Sequence, residues 1–341
     1  MNKQEDSLQL IKLYYANFNN KKYKEMVDLL SEKIIHDINN GSIEIGKETF
    51  LEFMYNMDQY YDEKIDNLSI QVSEDGSRVS SEFFVSGIYK KTAPRLPPAS
   101  EQQYLLSVGC FFEIHNGKIT RVSNYYNVKE WLQQIMPLKN NIMIKPLYKE
   151  DIKSHIDEMA KLRIEVFKEY PYFYDGSLSY EKEYLSNYLK SPNATVIAAF
   201  KENEMIGAAT AILLSDSYEE AKAPFLKRGY NLNNIMYFGD SVIIPQFRGL
   251  GTGHRFFMHR ELFALSFKNV NLITFFHVDR NKNPKYLNQK PTNYFDIESL
   301  WLSHRYAPAE GIVTTFSWKE FDEATESQKA MQFWTKKLKR F

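Results

Sequence analysis

Tyr237-Phe-Gly-Asp-Ser-Val-Ile-Ile-Pro-Gln-Phe-Arg-Gly-Leu-Gly-Thr-Gly-His254 reads as a short apolar strand, then Pro245, then glycines at alternate positions: Gly249, Gly251 and Gly253. Met258, Leu262 and Leu265 follow at helical spacing. Strand, glycine turn and helix together present backbone N–H groups to a phosphate. Glycine permits close approach of the main chain, and the new helix adds its positive end. A P-loop ends in Gly-Lys-Ser/Thr, and this stretch holds no lysine. A dinucleotide fingerprint places a glycine where His254 stands. What fits is Gln246-x-x-Gly249-x-Gly251, with Arg248 directly before the first glycine. A lone Gly-x-Gly reads better as a plain tight turn between a strand and a helix, but here Pro245, Gln246, Arg248 and Gly253 all agree with the phosphate reading.

Composition bounds the rest. A chain of 341 residues is long for one domain and comfortable for two. With 43 basic and 43 acidic side chains the formal charge is zero, so no field favours nucleic acid or a membrane surface. Cys110 stands alone, which excludes an internal disulfide and a cysteine-built zinc site and suits a reducing cytoplasm. No charged-then-apolar leader and no spanning apolar run is visible, so a cytoplasmic location is expected. Phe and Tyr are abundant, at 24 and 23 residues, enough for apolar pockets that carry a few hydroxyls.

Outward from the turn, Ile142–Pro146 reads as a strand, and Ile156, Met159, Leu162 and Val166 as one helical face. Tyr170–Tyr174 is an aromatic cluster before an Asp175-Gly176 turn, and Tyr184, Leu185, Tyr188 and Leu189 mark a second helix. Thr195–Phe200 and Met205–Leu214 form a hairpin, followed by a helical insert over Tyr218–Leu226. Beyond the turn come a strand at Leu272–Val278, a loop with Pro284 and Pro291, and a helix from Phe295 to His304. A strand at Gly311–Trp318 and a helical tail from Glu323 to Leu338 complete the pattern. This order, with the turn at its centre, resembles the GNAT acetyltransferases, an α/β fold with a mixed central sheet, over residues 142–341.

The resemblance implies acetyl-CoA as cosubstrate and an acceptor site near Tyr170–Tyr174, Tyr184 and Tyr188. That stretch is aromatic with little net charge, which favours a small or amphipathic amine over a histone-like basic tail. Val242 and Ile243 would pair with the pantetheine arm. Arg248, Gly249, Leu250, Gly251, Thr252 and Gly253 would hold the pyrophosphate. Asp240 matches the position where many members carry a glutamate base. Trp301 stands where the family places a tyrosine acid, and an indole does not protonate a thiolate. His277, Asp279 and Tyr294 are substitutes on geometric grounds. His277-x-Asp279 lacks a third metal ligand, so no metal is expected.

Residues 1–138 read as a separate α+β domain. Leu8, Ile11, Tyr15 and Phe18 keep helical spacing, as do Tyr23, Met26, Val27 and Leu30, and then Phe50, Phe53, Met54 and Met57. The period then falls to two through Leu68–Val72, Val79–Tyr89 and Leu106–Ile114, and an Asn116-Gly117 turn returns Ile119–Tyr126. Trp131–Met136 closes the domain, and Pro137–Asn141 reads as a linker. Helices first and antiparallel strands after them, with Ile35-His36-Asp37 and Gly46–Phe50, resemble the NTF2-like cone and its SnoaL-like, ketosteroid-isomerase-related members. That resemblance implies Tyr14 as the carbonyl-polarising tyrosine and Asp37 as the proton-shuttling aspartate. The second, protonated aspartate of the isomerases falls near Gly109-Cys110 and is missing. A ligand-binding or dimerising module, with homodimerisation through this domain, is therefore expected over true isomerase chemistry.

Overall fold

The computed structural model describes residues 3–278, 280, 289–292, 294 and 297–338. The chain divides at Pro137/Leu138 into two compact units. Leu138 packs on a core cluster of the second unit with Ile142, Ile197 and Phe256, which is why that unit begins ahead of the strand at Ile142.

In the first unit the chain runs through α1 (Lys3–Asn19), α2 (Tyr23–Val27), β1 (Leu30–Ile38), β2 (Ser42–Ile45) and α3 (Lys47–Tyr60). It continues through β3 (Tyr61–Val72), β4 (Arg78–Tyr89), β5 (Gln102–His115), β6 (Lys118–Tyr126) and α4 (Val128–Ile135). The sheet is six-stranded and mixed, in the order β2-β1-β6-β5-β4-β3, with β1 and β6 parallel. Its inner face is written in alternation. Val79, Phe83, Val85 and Tyr89 on β4, and Tyr104, Leu106, Val108, Cys110 and Phe112 on β5, meet Ile11, Tyr14 and Tyr15 of α1 and Phe50 and Met54 of α3. Asn19 fixes the end of α1 to β3 by accepting from the Ile65 N–H at 2.8 Å and donating to its carbonyl at 2.9 Å. Leu30, which continues the helical spacing of Tyr23 and Met26, is instead the first residue of β1.

The second unit holds β7 (Ile142–Leu147), α5 (Glu150–Ser154), α6 (Ile156–Phe167), α7 (Leu178–Lys190), β8 (Ala194–Lys201), β9 (Glu204–Leu213) and α8 (Glu219–Leu226). Then come β10 (Ile235–Ile243), α9 (Thr252–Leu265), β11 (Leu272–Val278), α10 (Glu298–Ser303), β12 (Ala307–Trp318) and β13 (Ser327–Lys337). The seven-stranded sheet has the order β12-β13-β11-β10-β9-β8-β7, and β10–β11 is its parallel pair. Helices cover both faces. Val196 and Ala198 share a core with Met159 and Leu162 of α6 and Leu185 of α7, while Ile197 and Ala199 pack with Phe256 of α9. That double burial explains why β8 and β9 read as apolar runs.

Two sequence expectations change here. Glu323–Leu338, expected as helix, contains strand β13, and Met331 and Phe333 point into the core two residues apart. The helix expected from Phe295 is α10, described from Glu298; Phe295, Asp279 and Pro284 lie outside the described residues.

Candidate functional site

β10 pairs with β9 along most of its length, but the register slips between Phe238 and Ser241, a bulge at Gly239–Asp240. The Asp240 N–H there donates to Thr210 Oγ1 at 2.9 Å, and that hydroxyl donates to the Tyr188 hydroxyl at 3.0 Å. On its other side β10 pairs with β11 only through Ile235, Met236 and Tyr237 among the described residues. The two parallel strands then diverge, which leaves the β11-facing backbone of Phe238–Ile243 outside that ladder. Val242 is buried and Ile243 is half-buried on this stretch.

The chain leaves β10 through a 3₁₀ turn at Pro245–Phe247 and enters α9 at Thr252. Gly249 has φ +73° and Gly251 φ +92°, left-handed conformations that glycine adopts without a Cβ penalty. A Cβ on Gly249 would meet open space, so its backbone is accessible, whereas one on Gly251 would stand 3.3 Å from Leu138 Cδ2. Gly251 is the N-cap of α9 and offers no capping side chain, so the first-turn N–H groups are left for a ligand or solvent. Thr252 is 2 % exposed and its Oγ1 makes no hydrogen bond among the described residues. Leu250 and Gly253 complete the turn and are half-buried. Arg248 is exposed, yet it is tied down: Nε donates to the Ile243 carbonyl at 3.0 Å, and Nη1 meets Glu169 at 2.7 Å. A turn of this form presents main-chain N–H donors of the kind that bind anions.

The carboxylate at the bulge is not free. Asp240 forms an ion pair with Arg163 of α6, and Arg163 also pairs with the fully buried Glu181 of α7. Tyr184 lies 3.9 Å from the Arg163 guanidinium carbon and completes a cation–π contact. Burial lowers the Arg163 pKa and its neighbours outweigh that effect, so the net shift is upward. Sequence reasoning missed both Arg163 and Glu181. The available signal is a charged residue at position 163, four after Met159 on the apolar face of α6.

Trp301 is 5 % exposed and packs against Phe275, His277 and Trp334. Tyr306, five residues on, is also core, and its hydroxyl donates to Glu261 Oε1 at 3.0 Å. His277 sits on β11 beyond its ladder with β10, against the Tyr172 ring, and Tyr294 packs on Tyr170.

In the first unit the structure does not bring Tyr14 and Asp37 together. Tyr14 faces the core, edge-on to Tyr15 at 5.3 Å and Phe112 at 5.4 Å, and burial pushes its hydroxyl pKa well up. On β1 the inward residues are Ile34 and His36; Asp37 takes the opposite phase, paired across strands with Ile43 and Ser123. Asp37 therefore lies on the outer face of the sheet, away from Tyr14. The inward polar residue is His36, 3.4 Å from Glu44 and packed on the rings of Phe50 and Phe53. Burial lowers its pKa, opposed by Glu44. The outer face carries Ile35, Ile43, Ile45, Phe111 and Tyr125, all exposed. Phe111 and Tyr125 also line a cavity of about 380 Å³ together with Arg78 and Arg121.

No helix among the described residues is long and apolar enough to cross a membrane, and none of their His, Cys, Asp and Glu side chains group as metal ligands. No protein-family model matches the chain, and no curated protein matches it. Solved structures do. A candidate polyketide cyclase from Xanthomonas campestris pv. campestris is 37% identical, with 39% of this chain and 98% of that chain covered, at a TM-score of 0.39. A candidate polyketide cyclase from Pseudomonas putida KT2440 is 42% identical, covering 40% and 98%, at 0.37. A third, from Silicibacter sp. TM1040, is 36% identical, covering 38% and 96%, at 0.38. These matches fall on the N-terminal ~130 residues. By sequence identity over nearly the full length of each relative, the N-terminal unit of this chain belongs to the NTF2-like fold family that holds these SnoaL-like, polyketide-cyclase-type proteins.

Proposed function

We propose that the second unit is a GNAT-type N-acetyltransferase that uses acetyl-CoA to acetylate a small or amphipathic amine, fused to an NTF2-like ligand-binding unit. The observation that carries this reading is the path from a bulged strand through left-handed Gly249 and Gly251 into α9, beside a parallel strand that diverges. The N–H groups of Gly249, Leu250, Gly251, Thr252 and Gly253, with Arg248 at the rim, would bind the pyrophosphate. The edge of β10 at Val242 and Ile243 would pair with the pantetheine amides, and the thioester would then lie near the bulge. Acetyl-CoA supplies the activated acyl group. The protein's part is to hold it in line with the acceptor nitrogen and to take that nitrogen's proton directly or through one water. Asp240 is the carboxylate at the bulge, and Arg163 fixes its direction. The aromatic cluster of Tyr184, Tyr188 and Tyr218 supports an acceptor with an apolar body.

Titration calorimetry with acetyl-CoA tests the reading. Saturable binding is expected, weakened by Gly249→Glu/Gly251→Glu, and absence of CoA affinity in well-folded wild type sinks it. A second reading, CoA binding without turnover, is favoured by the burial of Trp301 at the acid position and by the Arg163–Asp240 ion pair. A free-thiol assay over an amine panel separates the two. For the first unit, proton transfer by Asp37 loses support because that residue faces outward, so ligand binding is the better reading. The exposed apolar row of Ile35, Ile43, Ile45, Phe111 and Tyr125 supports pairing with a second copy of the chain.

A further inference from the structure

Glu63 lies on β3 between Tyr61 and Ile65, on the phase of the strand that builds the core. Its cross-strand partner on β4 is Gly87, and Gly87 pairs in turn with Tyr104 on β5. Three neighbouring strands thus place Glu63, Gly87 and Tyr104 in one row on the inner face. The middle position has no room for a side chain, because a Cβ on Gly87 would stand 2.2 Å from Tyr104 Cζ. The tyrosine ring lies across the glycine and donates its hydroxyl to Glu63 Oε1 at 2.6 Å. Trp131 of α4 packs 5.8 Å from Tyr61 and 6.5 Å from Tyr104, centroid to centroid. Gln134 holds α4 there by accepting from the Leu105 N–H at 2.7 Å and donating to its carbonyl at 3.0 Å.

Two facts set the chemistry of this row. Burial raises the Glu63 pKa above the ordinary carboxylate range, and the Tyr104 hydrogen bond only partly opposes it. The Tyr61 and Tyr126 hydroxyls, raised mainly by burial, also feel the Glu63 charge. No cation pairs with Glu63 among the described residues; nearby Lys21 is engaged by Asp58 at 3.0 Å and Asp62 at 2.7 Å. A carboxylate accepts roughly four hydrogen bonds, and Tyr104 fills one. A half-buried carboxylate with aromatic neighbours and no counter-ion favours a ligand that brings positive charge, N–H donors and an apolar body.

We propose that this row binds an organic amine in its protonated form, with Glu63 as counter-ion and Tyr61, Tyr126 and Trp131 as walls. The proposal does not depend on the acetyl-CoA reading of the second unit. The test is titration of the full chain with phenethylamine and with phenethyl alcohol, its neutral counterpart, followed by calorimetry and tryptophan fluorescence. The amine is expected to bind roughly tenfold or more tightly than the alcohol, with a fluorescence change that Trp131→Phe removes. Glu63→Gln is expected to abolish the preference for the amine. Affinity is also expected to fall as pH is lowered and the Glu63 carboxyl is neutralised. Tyr104→Phe, which keeps the ring, guards against a folding defect in Glu63→Gln: it should weaken the amine and keep the pH dependence. Equal binding of amine and alcohol, no amine binding, or an undiminished preference in folded Glu63→Gln overturns the proposal.

Discussion

Arg163 holds two acidic side chains that come from different parts of the second unit, Glu181 from α7 and Asp240 from β10. Removing the guanidinium leaves both carboxylates without their cation, one of them fully buried. Arg163→Met is therefore expected to destabilise by about 3–5 kcal/mol, against far less for a surface arginine. Chemical denaturation checks it, and a loss under 1 kcal/mol would mean that solvent reaches the pair. At Gly251 an added Cβ meets both a left-handed backbone and the Leu138 side chain. Gly251→Ala should cost about 1–3 kcal/mol, read from the same denaturation curves. Single residues were unevenly legible from sequence. The glycines announced themselves because few other contexts call for that spacing. Arg163 and Glu63 did not, since a charge on an apolar face becomes informative only when its partner, far along the chain, is known. Asp37 misled because its neighbour His36 shares its polarity, and only the pleat decides which of the two faces inward.

Among elements, α9 and α10 carry the acid sensitivity. Burial pushes the pKa of His259 on α9, and that of His304 just after α10, down from 6.5 to about 4. Between those values the unfolded chain binds a proton that the folded one refuses. Stability is therefore unaffected above pH 6.5 and is lost progressively as pH falls toward 4. At pH 5 the loss should approach about 2 kcal/mol per histidine. Thermal melting at pH 7.5 and pH 5 measures it, and His259→Gln/His304→Gln should flatten the difference. Elements were most legible where the period was long and clean, as in β5, α6 and β11. β1 was missed because Leu30 continues the helical spacing set by Tyr23 and Met26. β13 was misread because its Glu, Gln, Lys and Ala neighbours favour helix, and pairing with β11 and β12 overrides that preference.

At the scale of the whole molecule, each unit has its own closed set of buried side chains. Residues 1–137 alone are therefore expected to unfold cooperatively, with the near-ultraviolet signal of their packed tyrosines intact, and a non-cooperative melt would contradict this. The second unit behaves differently under truncation because of where β13 sits. It is the last strand in sequence but lies between β12 and β11 in the sheet. During synthesis β7 through β12 emerge before it, yet β12 has no edge to join until residues 327–337 are made. The nascent sheet thus waits in two pieces, one of them the lone strand β12. A ribosome stalled a few residues short of β13 would leave the unpaired edge of β11 open to other chains.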